Sequence, residues 1–132
     1  MVADHSAQRR RGAHGRVLVV DDDPDILDAL SEILEVEGYE VQRARNGREA
    51  LQALEHAPPD LVLLDLMMPV MDGWEFARSL EPSSRPPIIV LSADRNVSVK
   101  AQEIGALGWL AKPFELAELL AAVRRAIPPG TS

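Results

Sequence analysis

The sequence contains no cysteine among its 132 residues, and this absence excludes two kinds of stabilisation. Without thiols the chain forms neither disulfide bonds nor thiolate metal sites. The absence also suits a protein kept in a reducing compartment, so we expect a cytoplasmic location.

Long apolar segments are missing as well. No apolar run approaches the roughly 18 residues that a membrane-spanning helix requires, so we expect no membrane partner. Residues 1–15 contain three consecutive arginines, Arg9, Arg10 and Arg11, but no apolar block follows them. This pattern argues against a secretory signal peptide and favours a solvated, disordered basic tail.

Positive charge is scarce over the rest of the chain. The formal net charge is −7, and residues 1–15 carry +2, which leaves −9 for the remainder. An acidic body matches nucleic acid phosphate poorly, so we expect no direct binding to nucleic acid.

What the sequence does contain is a regular alternation of short apolar runs and amphipathic stretches. The runs predict five strands, at 17–20, 39–44, 61–64, 88–91 and 109–111. The last amphipathic stretch is the clearest, with Leu116, Leu119, Leu120, Val123 and Ile127 on one helical face. This order indicates an α/β fold, a doubly wound five-stranded parallel sheet with helices on both faces. We expect one domain over residues 16–127 and a second tail over residues 128–132.

Capping signals mark the ends of two predicted helices. Asp23 suits the N-cap and Pro24 the first position of a helix that should end before Gly38. Asn46 and Glu49 have the spacing of a capping box at the start of the next helix.

Polar residues directly follow four of the five apolar runs. Asp21 and Asp22 follow the first run, Asp65 the third, Ser92 the fourth and Lys112 the fifth. Since the carboxyl ends of parallel strands meet at one edge of a sheet, these side chains should converge there.

Such a cluster has a definite chemistry. Three carboxylates at one place repel one another unless a cation is present, and Mg²⁺ prefers oxygen ligands, commonly including waters and a phosphate oxygen. Lysine, hydroxyl and metal are the groups that an incoming phosphoryl group needs around its oxygens. Asp65 ends the central run, so it is the best candidate for a carboxylate that attacks phosphorus and becomes an aspartyl phosphate.

Each of these residues taken alone has a simpler interpretation. Asp23 is better explained as a helix cap than as a ligand, and Ser92 and Asp65 could each cap a turn. A lone lysine such as Lys112 is usually solvated. Their joint placement at strand ends is hard to explain as coincidence, which favours a shared site.

Four motifs in the sequence resemble those of a known family. The segments VLVVDDDPDI, LVLLDLMMPVMDG, IIVLSA and GALGWLAKPF are similar to the motifs of response-regulator receiver domains of two-component signalling, including the chemotaxis regulators. The resemblance extends over about residues 16–127, with the order and spacing of all four motifs preserved. It implies the flavodoxin-like strand order 2-1-3-4-5.

The same resemblance implies a metal site. Asp22 would bind Mg²⁺ directly, and Asp21 would hold it largely through water. Asp65 would be both metal ligand and phosphoacceptor, and Met67 would contribute its backbone carbonyl.

The resemblance also implies how the phosphoryl group is held. Ser92 would be the switch hydroxyl that bonds the phosphoryl group, and Lys112 would bind a phosphoryl oxygen. The peptide bond between Lys112 and Pro113 would be cis.

Two features depart from the commonest pattern of the family. Trp109 occupies the switch-aromatic position, where a smaller aromatic is usual, and it could instead be a plain core or interface residue. Met67 and Asp94 occupy positions that tune dephosphorylation. Met67 is apolar and cannot orient an attacking water, whereas Asp94 has the chemistry to do so.

The partners implied by the resemblance are proteins. A sensor histidine kinase or phosphotransfer protein would donate the phosphoryl group, and a downstream protein would read the switch around the fourth helix, fifth strand and fifth helix. We expect no effector domain after Ile127, and a monomer or weak dimer. The chain would not be an enzyme beyond its own phosphorylation and dephosphorylation.

Three alternatives stay open. A phosphatase of the haloacid dehalogenase type also uses an aspartate after a strand but needs a second aspartate two residues later, where this chain has Met67. A pseudo-receiver would not be phosphorylated. A flavodoxin-like cofactor binder would need a phosphate-binding loop after the first strand, where three aspartates would repel phosphate.

Overall fold

A computed structural model describes residues 14–68, 72–81 and 83–128 of the chain. The predicted tails fall mostly outside these residues, including the three arginines at positions 9–11. Their disorder and the domain boundaries therefore stay predictions.

The described residues form five strands and five helices in strict alternation. In chain order they are β1 (Arg16–Val20), α1 (Pro24–Val36), β2 (Glu40–Ala44), α2 (Gly47–His56), β3 (Leu61–Asp65), α3 (Gly73–Arg78), β4 (Ile88–Ser92), α4 (Val97–Glu103), β5 (Gly108–Ala111) and α5 (Leu116–Ala126). The strands are all parallel and lie in the order β2-β1-β3-β4-β5. The predicted fold class and strand order are confirmed.

The sheet divides the core into two layers. Side chains of the central strands alternate between its faces, so each layer takes every second residue of β1, β3 and β4. One layer packs against α1 and α5 and the other against α2, α3 and α4. Because helices cover both faces, these three strands are buried along their whole length, as their continuous apolar runs predict.

Helix α1 begins and ends as its sequence predicts. The Asp23 carboxylate accepts a 2.9 Å hydrogen bond from the Asp25 N–H, and Pro24 opens the helix. Gly38 follows the helix with a φ of +98°, in the left-handed region that favours glycine. The turn at Gly38 directs the chain into β2 beside β1.

The capping box predicted for α2 is only half formed. Asn46 accepts the Glu49 N–H at 2.9 Å, as predicted. The Glu49 carboxylate, however, accepts the N–H of Arg45 rather than that of Asn46, because it also pairs with the Arg45 guanidinium at 3.1 Å. The second half of the predicted box is therefore wrong.

The predicted apolar face of α5 is also shorter than expected. Leu119 and Val123 are buried against the sheet, but Leu116 is 46% exposed. Leu116 is the first residue of α5 and precedes the part of the helix that packs on the sheet.

Among the described helices, none has the length and apolar character needed to cross a membrane.

Candidate functional site

The acidic residues predicted for the site meet at the carboxyl-terminal edge of the sheet. Asp21 and Asp22 directly follow β1, and Asp65 ends the neighbouring strand β3. One carboxylate oxygen from each lies within 4.8 Å of the others. The structure therefore brings the three carboxylates together, as the parallel topology predicts.

Asp21 is the most deeply buried member of the cluster. Its Oδ1 accepts the N–H of Asp23 at 2.9 Å, and its Oδ2 accepts a hydrogen bond from Lys112 Nζ at 2.9 Å. Its own N–H donates to the carbonyl of Ala44 on β2. These contacts fix the carboxylate with no water-exposed surface.

Asp65 is also buried, with 5% of its surface exposed. Its Oδ1 accepts the N–H of Met67 at 3.1 Å, and its Oδ2 lies 3.6 Å from Lys112 Nζ. Burial raises the pKa of Asp65 to about 6, with smaller contributions from the negative charges of Asp21 and Asp22. The Met67 N–H and the Lys112 charge act in the opposite direction. Asp65 is thus a partly desolvated carboxylate that a further cation would stabilise.

Lys112 connects the fifth strand to the acidic cluster. Its N–H donates to the carbonyl of Ser92 at 2.8 Å, and its peptide bond to Pro113 is cis. Burial lowers the pKa of Lys112, but the hydrogen bond to Asp21 and the charge of Asp65 outweigh burial, so the pKa is raised. The ammonium therefore stays protonated between two carboxylates.

Ser92 ends β4 and is buried at the same edge. Its Oγ accepts the N–H of Asp94 at 3.1 Å, and its hydroxyl proton has no acceptor among the described residues. The hydroxyl can therefore donate to an oxygen atom placed in the site.

Asp94 lies two residues beyond Ser92, and both of its carboxylate oxygens are engaged. Oδ1 accepts the N–H of Asn96 at 2.7 Å, and Oδ2 accepts Lys100 Nζ at 2.5 Å. The hydrogen bond from Lys100 and that from the Asn96 N–H lower the pKa of Asp94. Lys100 was not predicted as a partner of Asp94, because a six-residue spacing across a turn and a helix start is not a standard pairing pattern.

The remaining predicted residues lie at the surface of the site. Met67 is 64% exposed and Asp22 is exposed beside the buried carboxylates. Trp109 lies on the edge strand β5 and is 47% exposed, so it is not a core residue, and its interpretation as an interface residue stays a prediction. Its predicted switch role stays a prediction.

Gly73 supports the site although it was not predicted to do so. A Cβ atom at this position would lie 2.8 Å from the Asp65 carbonyl oxygen and 2.8 Å from the Leu66 Cα. The Gly73 N–H donates to the Leu66 carbonyl at 3.1 Å, which ties the start of α3 to the end of β3. The available signal was the Asp72-Gly73 pair, since Asp72 caps α3 in a complete capping box with Glu75.

The donor set fits a hard divalent cation. The ligand atoms of the cluster are all carboxylate oxygens, which suit Mg²⁺ and Ca²⁺ rather than soft metals. The Lys112 ammonium offsets one of the three negative charges and leaves two, the charge of one divalent ion. The cluster is therefore a site that could hold a metal ion.

Comparison with known proteins gives consistent relatives. The "Response regulator MprA" of Mycolicibacterium vanbaalenii is 46% identical over 112 residues, which span 83% of this chain and 48% of that protein. The "Transcriptional regulatory protein KdpE" of Mycobacterium tuberculosis is 43% identical over 118 residues, 88% of this chain and 52% of that protein. The chain thus spans about half the length of these relatives.

Solved structures show the same fold at similar identity. The chemotaxis protein CheY4 of Vibrio cholerae is 37% identical, with a TM-score of 0.77 over 84% of this chain and 97% of that one. The response regulator TrrA of Thermotoga maritima, solved in complex with Mg²⁺-BeF, is 37% identical, with a TM-score of 0.76 over 84% and 97%. A family model for the response regulator receiver domain matches residues 17–124, which include the whole acidic cluster and Lys112. On these grounds the chain belongs to the family of response regulator receiver domains.

Proposed function

We propose that this receiver domain accepts one phosphoryl group on Asp65 and signals by the shape change that the phosphoryl group favours. The observation that carries the proposal is the position of Lys112, whose ammonium lies 2.9 Å from Asp21 and 3.6 Å from Asp65. A cation at this distance can bind an oxygen of a group attached to Asp65 without a large movement.

The metal that would assist is Mg²⁺. Asp21, Asp22 and Asp65 would hold it, together with the backbone carbonyl of Met67. When bound, Mg²⁺ supplies the positive charge that offsets the excess carboxylate charge and the charge of a phosphoryl group. The structure of TrrA in complex with Mg²⁺-BeF supports this assignment, because that protein shares the fold and 37% of its sequence with this chain.

The chemistry belongs to the Asp65 carboxylate. One carboxylate oxygen attacks the phosphorus of a phosphohistidine on a sensor kinase or phosphotransfer protein. The new bond joins that oxygen to phosphorus, and the bond between phosphorus and the histidine nitrogen breaks. The electron pair leaves with the imidazole, which takes up a proton.

Two side chains would then bind the product. Lys112 can exchange its contact with Asp21 for one with a phosphoryl oxygen, and Ser92 can donate its unused hydroxyl proton. Moving a two-state equilibrium from 1:99 to 99:1 requires about 5.5 kcal/mol of differential binding. Two charge-assisted hydrogen bonds supply a substantial part of this, at about 1.5–3 kcal/mol each.

Receiver domains are signalling domains, so turnover of a separate substrate is not part of the proposal. The residue two positions after Asp65 is Met67, which has no proton to give to a leaving group, as a phosphatase of the haloacid dehalogenase type would require. We propose a cytoplasmic monomer or weak dimer that transmits the signal to a downstream protein.

Mass spectrometry of the intact protein after treatment with acetyl phosphate tests the assignment. We expect the mass of one phosphoryl group to be gained in the presence of Mg²⁺ and not in EDTA. Asp65→Asn should abolish the gain, whereas Asp28→Asn, which changes an exposed carboxylate of α1, should leave it intact. Labelling of Asp65→Asn, or no labelling of the parent protein, would refute the proposal.

A further inference from the structure

A chain of hydrogen bonds links the candidate site to helix α4. Ser92 Oγ accepts the N–H of Asp94 at 3.1 Å, and Asp94 Oδ2 accepts Lys100 Nζ at 2.5 Å. Lys100 lies in α4 one residue before Ala101, which is buried against the sheet, as is Val97. The packing of α4 therefore places the backbone of Lys100 where its ammonium reaches Asp94.

Lys100 donates one of the two hydrogen bonds that hold the Asp94 carboxylate. The other carboxylate oxygen, Oδ1, accepts the Asn96 N–H at 2.7 Å. Asn96 is the N-cap residue of α4, and its side chain makes no capping hydrogen bond. The Asp94 carboxylate thus holds the backbone N–H of the residue at which α4 begins. With Lys100 in place, each Asp94 oxygen accepts one hydrogen bond, and the ammonium offsets the charge of the carboxylate.

We propose that Lys100 is a positioning residue that keeps the Asp94 carboxylate from assisting hydrolysis and thereby lengthens the lifetime of the phosphoryl group. This inference rests on the proposed function, since it concerns the fate of a phosphoryl group on Asp65. It adds a residue that neither the motifs nor the cluster of carboxylates contains.

The hydrolytic step shows why a free carboxylate matters. A water oxygen forms a bond to phosphorus, and the bond between phosphorus and the Asp65 oxygen breaks. The electron pair returns to the Asp65 carboxylate, and the water gives one proton to a base, which passes it to the released phosphate or to solvent, while the other proton stays on the oxygen now bound to phosphorus. A carboxylate at the rim of the site can orient the water and accept its proton.

The candidates for that base are few among the described residues near Asp65. Asp21 and Asp22 would hold the metal ion, Met67 is apolar, and Lys112 is a protonated cation. Asp94 is a carboxylate whose backbone contacts the switch hydroxyl of Ser92, but Lys100 neutralises it and lowers its pKa. Removing the ammonium frees Oδ2 and makes Asp94 a stronger base.

The experiment measures the loss of the phosphoryl group by intact mass after acetyl phosphate is removed, with Mg²⁺ present throughout. A positioned general base is worth ~10²–10⁴-fold, and an unpositioned one less, so we expect Lys100→Met to shorten the half-life about tenfold. Lys100→Arg keeps the ion pair and should behave as the parent. Asp94→Asn should also keep the parental half-life, because the Asp94 carboxylate takes no part in hydrolysis while Lys100 is bound to it.

The double variant Asp94→Asn/Lys100→Met separates this role from a structural one. Its half-life should return to that of the parent, whereas a half-life as short as that of Lys100→Met would show that α4 was merely disturbed and would overturn the inference. A parental half-life for Lys100→Met, or a slower loss from Asp94→Asn alone, would overturn it too.

A second cation, adjacent to Asp94 in sequence, provides the matched control. Arg95 is exposed and has no ion pair among the described residues, so Arg95→Met should keep the parental half-life. If Lys100→Met does not fold by circular dichroism, Lys100→Gln replaces it. Failure of the parent protein to be labelled would refute the proposed function, whereas labelling with equal half-lives would refute this inference alone.

Discussion

Lys112 donates a 2.9 Å hydrogen bond to Asp21 from a position 91 residues later in the chain. The same ammonium lies 3.6 Å from Asp65, so one cation directly after β5 contacts a carboxylate that follows β1 and one that ends β3. Asp21 is buried, and Lys112 retains 19% side-chain exposure. The site therefore carries a cation that stabilises buried negative charge and lies beside the proposed acceptor.

Lys112→Met should destabilise the protein most when divalent ions are removed. Breaking a buried ion pair costs about 3–5 kcal/mol, and partial exposure of Lys112 reduces this, so we expect a loss of about 1–3 kcal/mol in EDTA at neutral pH. Mg²⁺ should reduce this loss of unfolding free energy, because the bound ion would offset the charge of Asp21 in place of the missing ammonium. Urea denaturation with and without Mg²⁺ measures both values.

Lys100→Met is the matched control for that measurement. The ion pair between Lys100 and Asp94 lies outside the acidic cluster, and both side chains are about a quarter exposed. Lys100→Met should therefore lower the free energy of unfolding only slightly, and by the same amount with and without Mg²⁺. An equal response of both variants to Mg²⁺ would contradict the placement of the ion at the acidic cluster.

The raised pKa of Asp65 predicts how stability depends on pH in EDTA. The folded protein holds the Asp65 proton up to a pKa of about 6, against 3.8 for the free side chain. Between these two pH values the folded state binds more protons than the unfolded state. The contribution of protonated Asp65 to the free energy of unfolding is therefore complete below pH 3.8 and is lost as the pH rises to about 6. The loss is at most about 3 kcal/mol, from 1.36 kcal/mol for each pKa unit.

Asp65→Asn removes this titration and should be more stable than the parent above pH 6, by about 1–3 kcal/mol in EDTA. The difference should narrow towards pH 4, where the parent carboxyl is protonated. Urea denaturation across this pH range provides the values. An asparagine variant that is less stable than the parent at pH 7 would contradict the burial argument.

The position of the site was predictable because it depends on topology. Polar residues at the ends of apolar runs meet in any parallel sheet, and the runs preceding Asp21, Asp65 and Ser92 are unmistakable since both sheet faces are covered. The residue types at that edge indicated a divalent ion and made Asp65 the candidate acceptor. The separate roles of Asp22, Met67 and Ser92, in contrast, came from the family resemblance.

Two predictions from the sequence were wrong, the second half of the capping box at Glu49 and the burial of Leu116. Glu49 had two N–H groups within reach and bonds that of Arg45, because the Arg45 guanidinium adds a second attraction. Leu116 fits the helical period of α5 but lies before the packed part of that helix. Period and spacing identify candidates, and the packing of neighbouring elements decides among them.

Lys100 and Gly73 were missed for a related reason. The Lys100 contact depends on how α4 turns after Asp94, and another cationic residue, Arg95, lies closer to Asp94 in sequence. The constraint on Gly73 is the approach of the backbone at Asp65 and Leu66, which only coordinates reveal.

Gly73→Ala should damage both stability and metal binding. The new Cβ would lie 2.8 Å from backbone atoms of Asp65 and Leu66, which have little room to move because β3 is the central strand of the sheet. Overpacking of this kind costs about 1–3 kcal/mol. The displaced backbone carries the Asp65 carboxylate, a proposed ligand of the metal, so we also expect weaker Mg²⁺ binding, measured by the tryptophan fluorescence of Trp74 and Trp109 during titration.

Gly108→Ala is the control for a glycine without such a contact. A Cβ at Gly108 would meet no atom within 4 Å, and this residue begins the strand β5, where alanine is tolerated. We therefore expect parental Mg²⁺ affinity and a change in unfolding free energy within about 0.5 kcal/mol. If Gly73→Ala kept the parental Mg²⁺ affinity while losing stability, the close approach at Asp65 would support the fold without positioning the site.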